Sequence, residues 1–333
     1  MQAAEHAHGR VVESAFVPHP WLRGPHAQTI IPALLRPLPP LPLQYERLEL
    51  PDGDFVDLGW SGPAHSTRVA VLVHGLTGGF RSKYLRGLAR QLNARGWRTV
   101  LLQLRGGGEE PNRHPRCYHH GDTGDLRELW RVLQRRAPGV RIAAAGWSLG
   151  ANVLLKALGE EGERAPVAAA VAACAPFLLE PCAEKLRTGS ARLYQQHLLR
   201  DLKAIVRRKH ALVPVPPGVD LARAYAARDF FEFDDAYTAP MNGFSDARDY
   251  YARCQCGGFL RDIRRPTLIV NAKDDPFMLP QVLPTADMLS PQVTLEVSRR
   301  GGHVGFIGAG RFGQPVFWLE CHLAEHLEQA VPA

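Results

Sequence analysis

Short apolar runs alternate with helix-like segments along most of the chain. Four of the runs are apolar almost without a break, at 69–73, 99–104, 142–145 and 167–174. Segments with helical spacing of their apolar residues follow three of them, at 84–94, 125–136 and 151–158. Continuous apolar runs are typical of strands buried on both faces. The alternation therefore predicts an α/β fold with a mostly parallel central sheet flanked by helices.

An N-terminal arm precedes this pattern. Residues 1–42 end in a proline-dense stretch, and we predict that they form an arm before the sheet. Residues 43–50 and 55–60 then have the pattern of two strands around a Pro-Asp-Gly-Asp turn. This pair predicts an antiparallel entry to the sheet.

The strand pattern is interrupted in the second half of the chain. The elements predicted there are helices at 191–209 and 221–231, strands at 267–270 and 293–297, and a last helix at 316–328. We therefore predict a core made of residues 43–176 and 263–333, with a helical cap inserted at 177–262. An insertion at this point would lie over the carboxyl ends of the strands, where open α/β sheets bind ligands.

The composition indicates a globular protein rather than a membrane or secreted one. Of 333 residues, 45% are hydrophobic, which is enough for a sizeable core. No apolar run approaches the roughly 20 residues of a membrane helix, and the first ten residues lack the apolar centre of a signal peptide. We expect a soluble, cytoplasmic protein whose oligomeric state the sequence leaves open.

The net charge of +7 is spread along the chain rather than gathered into a stripe with aromatic residues. We therefore expect no nucleic acid partner. The one basic cluster, at 207–210, leaves weak peripheral contact with an anionic membrane as an alternative to a solvated helix face.

The six cysteines and the histidines do not predict a metal site. The segment Cys254-Gln255-Cys256 is one residue short of a C-x-x-C half-site, so we expect reduced, mostly packing thiols. The cluster His114, His119 and His120 does not put two ligands one helical turn apart, and no further ligand completes a recognised set.

The strongest chemical signal is the pentapeptide Gly146-Trp147-Ser148-Leu149-Gly150, between a predicted strand and a predicted helix. Glycines two before and two after a serine in this setting are typical of a nucleophile elbow. Ser148 is then the nucleophile, and the Leu149 amide at the helix N-terminus is one oxyanion donor. The pentapeptide alone also occurs by chance or as a plain turn.

An acid and a base follow at the ends of later strands. Strand 267–270 leads to Asp274 and Asp275, and strand 293–297 leads to the glycine-flanked His303. The order serine, aspartate, histidine is that of α/β-hydrolases. We choose Asp275 as the acid because Ala272 occupies the glycine position of the usual loop, and Asp274 remains the alternate, in a supporting or solvent-facing role.

The loop after the first parallel strand, His74-Gly75-Leu76-Thr77-Gly78-Gly79, supplies a second oxyanion donor in this fold, and we choose Leu76. It is not a P-loop because no Gly-Lys-Ser/Thr follows. Likewise, the glycines at 106–108 lack a dinucleotide fingerprint. We predict no cofactor.

Longer strings in the chain resemble the YheT-like α/β-hydrolases, which include bacterial esterase-like proteins and eukaryotic α/β-hydrolase-domain lipases. These strings lie within 21–29, 105–113, 118–123, 232–244 and 250–251. The resemblance implies hydrolysis of carboxylic esters, either short-chain esters or monoacylglycerol-like lipids, with Ser148, Asp275 and His303 as the triad. The family often has a serine after the paired tyrosines, where this chain has Cys254 and Cys256.

Two alternatives keep the same residues. A thioesterase, amidase or acyltransferase uses the same triad on another bond or acceptor, and the sequence does not separate these from an esterase. A catalytically silent binding protein retains the fold but loses the chemistry. It predicts lesions in the triad, and none is visible.

Overall fold

A computed structural model describes residues 7–333. Within them, nine strands form one sheet: β1 (Arg10–Glu13), β2 (Gln44–Glu49), β3 (Phe55–Ser61), β4 (Arg68–Val73), β5 (Arg98–Gln103), β6 (Arg141–Trp147), β7 (Ala169–Ala173), β8 (Thr267–Ala272) and β9 (Val293–Ser298). A separate hairpin pairs β10 (Ile307–Ala309) with β11 (Pro315–Phe317).

The strand order across the sheet is β1-β9-β8-β7-β6-β4-β5-β3-β2. All neighbours from β1 to β5 are parallel, whereas β3 runs antiparallel to β5 and β2 antiparallel to β3. The predicted mostly parallel sheet with an antiparallel entry is therefore confirmed.

Eleven α-helices accompany these strands within the described residues, besides short 3₁₀ turns. They are α1 (Pro25–Leu34), α2 (Lys83–Asn93), α3 (Gly124–Arg136), α4 (Leu149–Glu161), α5 (Leu179–Leu186), α6 (Ala191–His210), α7 (Leu221–Ala226), α8 (Phe230–Phe233), α9 (Ala239–Met241), α10 (Ala247–Cys254) and α11 (Trp318–Ala330). A π-helical turn, Asp234–Thr238, joins α8 to α9. No helix between residues 7 and 333 is long and apolar enough to span a membrane.

Helices cover both faces of the sheet. Successive residues of β4 point to opposite faces: Val71 packs in the cluster with α3 and α4, and Leu72 in the cluster with α2 and α11. Both side chains are fully buried. The unbroken apolar run at this strand therefore follows from burial on two faces at once.

The elements between β7 and β8 are helical throughout. They share a hydrophobic cluster of their own, which includes Phe230, Phe233, Tyr250 and Tyr251. The boundaries of the core and the cap stay a prediction, but α5 to α10 follow directly from the carboxyl end of β7.

The N-terminal segment departs from the hydrophobic pattern. Residues 1–6 of the predicted arm lie outside the described residues. Further along the arm, β1 pairs with β9 at the sheet edge, and α1 lies beside the histidine loop described below. With four residues, all of them exposed, β1 has no apolar periodicity to reveal it.

Two helix predictions were wrong in their bounds. The helix predicted at 221–231 is two helices, because Asp229 accepts a hydrogen bond from the Glu232 amide (3.0 Å) and so begins α8 anew. The last helix begins at Trp318 rather than 316, because residues 315–317 pair with β10.

Candidate active site

The pentapeptide around Ser148 forms a tight turn between β6 and α4. Ser148 has φ 52° and ψ −120°, a conformation that is costly for a residue with a side chain. A Cβ on Gly146 would lie 2.4 Å from the Gly150 carbonyl oxygen, and a Cβ on Gly150 would lie 2.4 Å from the Val73 carbonyl oxygen. The backbone therefore passes too close for any residue but glycine at both positions.

Ser148, His303 and Asp275 form one hydrogen-bonded chain. The His303 Nε2 lies 3.0 Å from the Ser148 Oγ, and its Nδ1 lies 2.7 Å from the Asp275 Oδ2. The second carboxylate oxygen of Asp275 accepts from the Phe277 amide at 2.8 Å. The Asp275 side chain is fully buried. Because the carboxylate accepts a hydrogen bond from Nδ1–H, Nε2 is left to accept from the serine hydroxyl.

Asp274 has a different partner from its neighbour. Its Oδ1 accepts from the Gly302 amide at 3.0 Å, so it supports the loop that carries His303. Burial raises the pKa of Asp274 above its ordinary value. The structure thus brings Asp275, and not Asp274, to the imidazole.

Helix α1 holds the histidine loop, a contact the sequence did not predict. The Thr29 Oγ1 accepts from the His303 amide (2.9 Å) and donates to the Pro25 carbonyl (2.7 Å). The buried Gln28 accepts from the Ile307 amide (2.6 Å) and donates to its carbonyl (3.0 Å). The only signal of this role was that both residues lie in the family-like string 21–29.

An aromatic ring fixes the plane of the imidazole. The Phe277 ring stacks on that of His303, with centroids 4.0 Å apart and an interplanar angle of 4°. Tyr194 of α6 packs on Phe277 in turn, with centroids 5.1 Å apart. The histidine is therefore held by its backbone, by its Nδ1 and by one face of its ring.

The loop after β4 leaves one amide available beside Ser148. The Gly75 amide donates to the Tyr84 hydroxyl (2.9 Å), and the Thr77 amide donates to the Tyr118 hydroxyl (2.8 Å). Between them, the Leu76 amide donates to no acceptor within residues 7–333. An unsatisfied amide between two satisfied ones is suited to meet a developing oxyanion.

The buried His74 side chain holds this loop against β5 by hydrogen bonds. Its Nε2 accepts from the Leu104 amide (3.1 Å), so its Nδ1 carries the proton and donates to the Gly75 carbonyl (2.7 Å). Burial lowers the pKa of His74 to about 4. It is therefore a neutral structural residue at physiological pH.

Two cavities meet at Ser148 and His303. The first has a volume of about 810 Å³, open solvent at its mouth included, and extends beneath the helices that follow β7, between side chains such as Leu179, Leu186 and Phe230. The second has a volume of about 1630 Å³ on the same basis and extends between α1 and the start of α6. Leu76 lines both cavities, whereas Leu149 lines the first.

Polar groups line part of the first cavity. Burial raises the pKa of Asp234 to about 7, and the Tyr251 hydroxyl donates to its carboxylate at 2.7 Å. Burial also lowers the pKa of His119 and of His120 to about 3. The third histidine of that sequence cluster, His114, lies elsewhere and contacts the Asp52 carbonyl.

The two cysteines that differ from the family pattern join the helical insertion to the core. Asn152 of α4 donates to the Cys254 carbonyl and accepts from the Cys256 amide, both at 2.8 Å. In the part of the chain described, neither cysteine lines either cavity; Cys182 lines the first. The cysteines that stand where the family often has a serine are therefore not part of either cavity wall.

A third cysteine lies beside the acid and the base. The side-chain ligand atoms of Cys174, Asp275 and His303 lie within 4.8 Å of one another. The Cys174 thiol accepts from the Val304 amide (3.2 Å), and burial raises its pKa well above the ordinary value. A protonated thiol is a poor metal ligand, and so is an imidazole whose two nitrogens are already hydrogen-bonded to serine and aspartate.

Comparison with known proteins identifies the family of the chain. The α/β-hydrolase fold family matches residues 69–309. The chain is 44% identical to "Putative esterase YheT" of Escherichia coli over 94% of this chain and 92% of that protein. The chain therefore belongs to the YheT-like α/β-hydrolases. This confirms both the family and the fold class predicted from the sequence.

More distant relatives extend this comparison. The chain is 30% identical to "Phospholipase ABHD3" of Mus musculus, over 90% of this chain and 75% of that protein. Among solved structures, an esterase of Pyrococcus furiosus, Pf2001, superposes with a TM-score of 0.57 at 16% identity, over 96% of this chain and 98% of that one. At that identity the structural match shows the fold alone.

Proposed function

We propose that this YheT-like hydrolase cleaves carboxylic esters through an acyl-enzyme on Ser148. The observation that carries the proposal is the hydrogen-bonded chain from Ser148 through His303 to the buried Asp275. A serine hydroxyl is a weak nucleophile at neutral pH, and an oriented imidazole makes it a strong one.

The chemistry follows from these contacts. The Ser148 Oγ attacks the ester carbonyl carbon while the His303 Nε2 takes the hydroxyl proton, and the Leu76 and Leu149 amides donate to the oxyanion. The C–O bond to the alcohol then breaks, and His303 returns the proton to the leaving oxygen. A water molecule repeats the attack with His303 as base, which releases the acid and restores the serine hydroxyl.

The acyl chain is assigned to the first cavity. Its wall is mostly aliphatic and aromatic, and it begins at Ser148 beside Leu149. The second cavity, which opens on the other side of His303, takes the alcohol part of the ester. Two mostly apolar cavities suit short-chain esters or monoacylglycerol-like lipids, in accord with relatives named as an esterase and a phospholipase.

A matched set of substrates tests the proposal. An ester, a thioester and an amide of the same acyl chain would be compared by kcat/KM, and the ester is expected to give the highest value. A clear preference for the thioester or the amide would replace the esterase assignment. No turnover of any of them, together with no labelling by a fluorophosphonate, would favour a silent binding protein.

Thr29 is expected to act as a positioning residue for His303. Thr29→Val keeps the shape of the side chain but removes the acceptor for the His303 amide, so kcat should fall about tenfold with little change in KM. Thr29→Ser retains the hydroxyl and should restore most of the activity. Equal activity in wild type and Thr29→Val, or equal loss in both variants, would contradict this role.

A further inference from the structure

Large apolar side chains are exposed around the second cavity. Ile30 and Leu34 of α1 and Leu193 of α6 line that cavity and are also exposed to solvent. Leu35, which follows α1, is exposed as well. Single exposed apolar residues are found on any protein surface. A group of exposed leucine and isoleucine side chains at the opening of one site is instead typical of an interaction surface.

A second group of exposed apolar residues lies just before α1. Trp21 is 88% exposed and Phe312, in the turn of the β10–β11 hairpin, is 86% exposed. His19 joins the two segments: its Nδ1 accepts from the Trp21 amide (3.3 Å), so its Nε2 donates to the Gly313 carbonyl (2.8 Å). The Trp21 indole and the Phe312 ring therefore lie on two neighbouring turns that the His19 side chain joins by hydrogen bonds.

Helix α1 links the two groups into one surface. At its N-terminal end, His26 contacts the Tyr194 hydroxyl (2.8 Å) and Ser190 (3.2 Å) at the start of α6. At its C-terminal end, the Lys83 Nζ donates to the Ala33 carbonyl at 2.7 Å. The segments that surround α1 are thus the beginnings of α2 and α6 and the chain from His303 to the hairpin.

The charge of these segments has one sign. No aspartate or glutamate occurs in 17–36, 74–98, 185–200 or 299–317. Within residues 7–333, Arg23, Arg81, Arg192 and Arg311 from these segments form no ion pair. The carboxylate that lines the second cavity, Glu320, is buried and paired with Arg36.

We propose that this surface, which we call the docking face, binds an anionic lipid bilayer. It comprises Trp21, Phe312, the exposed apolar residues of α1, Leu193 and the unpaired arginines named above. Apolar side chains would enter the interface while the cations meet the lipid phosphates. A lipid ester could then pass from the bilayer into the second cavity without crossing water.

Two sites on the protein could contact lipid, the docking face and the basic cluster at 207–210. The composition of the docking face favours it over the basic cluster. In that cluster the Arg208 guanidinium donates to the Gly108 carbonyl (2.7 Å), and the Arg207 guanidinium stacks on Tyr225 (4.9 Å). Arg208 therefore already has a hydrogen-bond partner in the fold, whereas the Arg207 contact is of the same kind as that of Arg311 with the Phe312 ring (5.7 Å). The docking face differs from the cluster in its larger group of exposed apolar side chains. Leu212, two residues after the end of α6, is exposed and provides a matched control residue.

Vesicle binding tests the docking face independently of catalysis. Ser148→Ala protein would be sedimented with vesicles of phosphatidylcholine and phosphatidylglycerol, and with vesicles of phosphatidylcholine alone. Strong, salt-sensitive binding is expected only to the first. Trp21→Ser combined with Phe312→Ser, and Arg23→Glu combined with Arg311→Glu, should each weaken this binding at least about tenfold, whereas Leu212→Ser should not.

The outcomes separate this inference from the proposed function. Trp21→Ser with Phe312→Ser, in the chain that keeps Ser148, should hydrolyse a soluble short-chain ester as wild type does, which also shows that it folds. No binding to anionic vesicles, or equal loss with Leu212→Ser, would overturn the docking face. Loss only with Arg207→Glu and Arg208→Glu would overturn it in favour of the basic cluster. Failure of ester hydrolysis in wild type would instead remove the proposed function.

Discussion

Ser148→Ala is expected to lower kcat/KM for an activated short-chain ester by about four orders of magnitude or more. The substitution removes the atom that attacks the carbonyl, and within residues 7–333 no other hydroxyl is hydrogen-bonded to the His303 Nε2. Residual hydrolysis would come from water aided by the imidazole and the oxyanion amides. The measurement is steady-state turnover together with labelling by a fluorophosphonate, which should also be lost.

The fold should survive this change. Alanine has to adopt the same positive φ as Ser148, so the strain of the turn is unchanged, and the Gly146 and Gly150 contacts that form the elbow are kept. Circular dichroism and thermal unfolding would check this. Ser245→Ala, at an exposed position in the helical insertion, is the matched control and should turn over like wild type. Undiminished turnover in Ser148→Ala would remove the serine mechanism.

The placement of the candidate site residues was predictable because they follow local rules. A serine between two glycines at a strand-to-helix turn, and acidic and basic residues just past the ends of parallel strands, meet at one edge of the sheet whatever the rest of the chain does. Hence Ser148, Asp275 and His303, far apart in the sequence, could be assigned together. The choice between Asp274 and Asp275 rested on one loop position.

The support of the site was not predictable from such rules. Thr29 contacts the His303 amide across 274 positions of sequence, and no periodicity near Thr29 reports that contact. The edge strand β1 could not be predicted from the sequence either, because its partner β9 lies far away in the chain and its four residues are exposed. Long-range hydrogen bonds of this kind depend on the packed fold, and local propensity does not encode them.

The substrate cavities were out of reach for a related reason. Their walls combine side chains from α1, the β4 loop and the helices that follow β7, so their shape depends on how those elements pack. The sequence indicated a cap but not that two separate cavities meet at Ser148. It also indicated a lipid contact at 207–210, whereas the exposed apolar residues that line the opening of the second cavity, Ile30, Leu34 and Leu193, belong to α1 and α6.

Asp275→Asn is expected to lower kcat/KM by about 10³- to 10⁴-fold with little loss of stability, by analogy with the equivalent change in serine proteases. The Asp275 Oδ2 accepts a hydrogen bond from the His303 Nδ1–H, and Oδ1 accepts from the Phe277 amide. An asparagine oriented to keep the Phe277 contact would present its NH₂ group to Nδ1. The imidazole would then carry its proton on Nε2, where it cannot accept from Ser148.

Asp274→Asn is the matched control, because it changes the neighbouring carboxylate by the same single group. Its carbonyl oxygen can still accept from the Gly302 amide, so the histidine loop should stay in place and kcat/KM should fall less than about tenfold. Both variants would be compared with wild type on one soluble ester, with thermal unfolding as the check on folding. If Asp274→Asn proved the more damaging of the two, Asp274 would be the residue that orients His303, and the hydrogen bond from Asp275 would be structural.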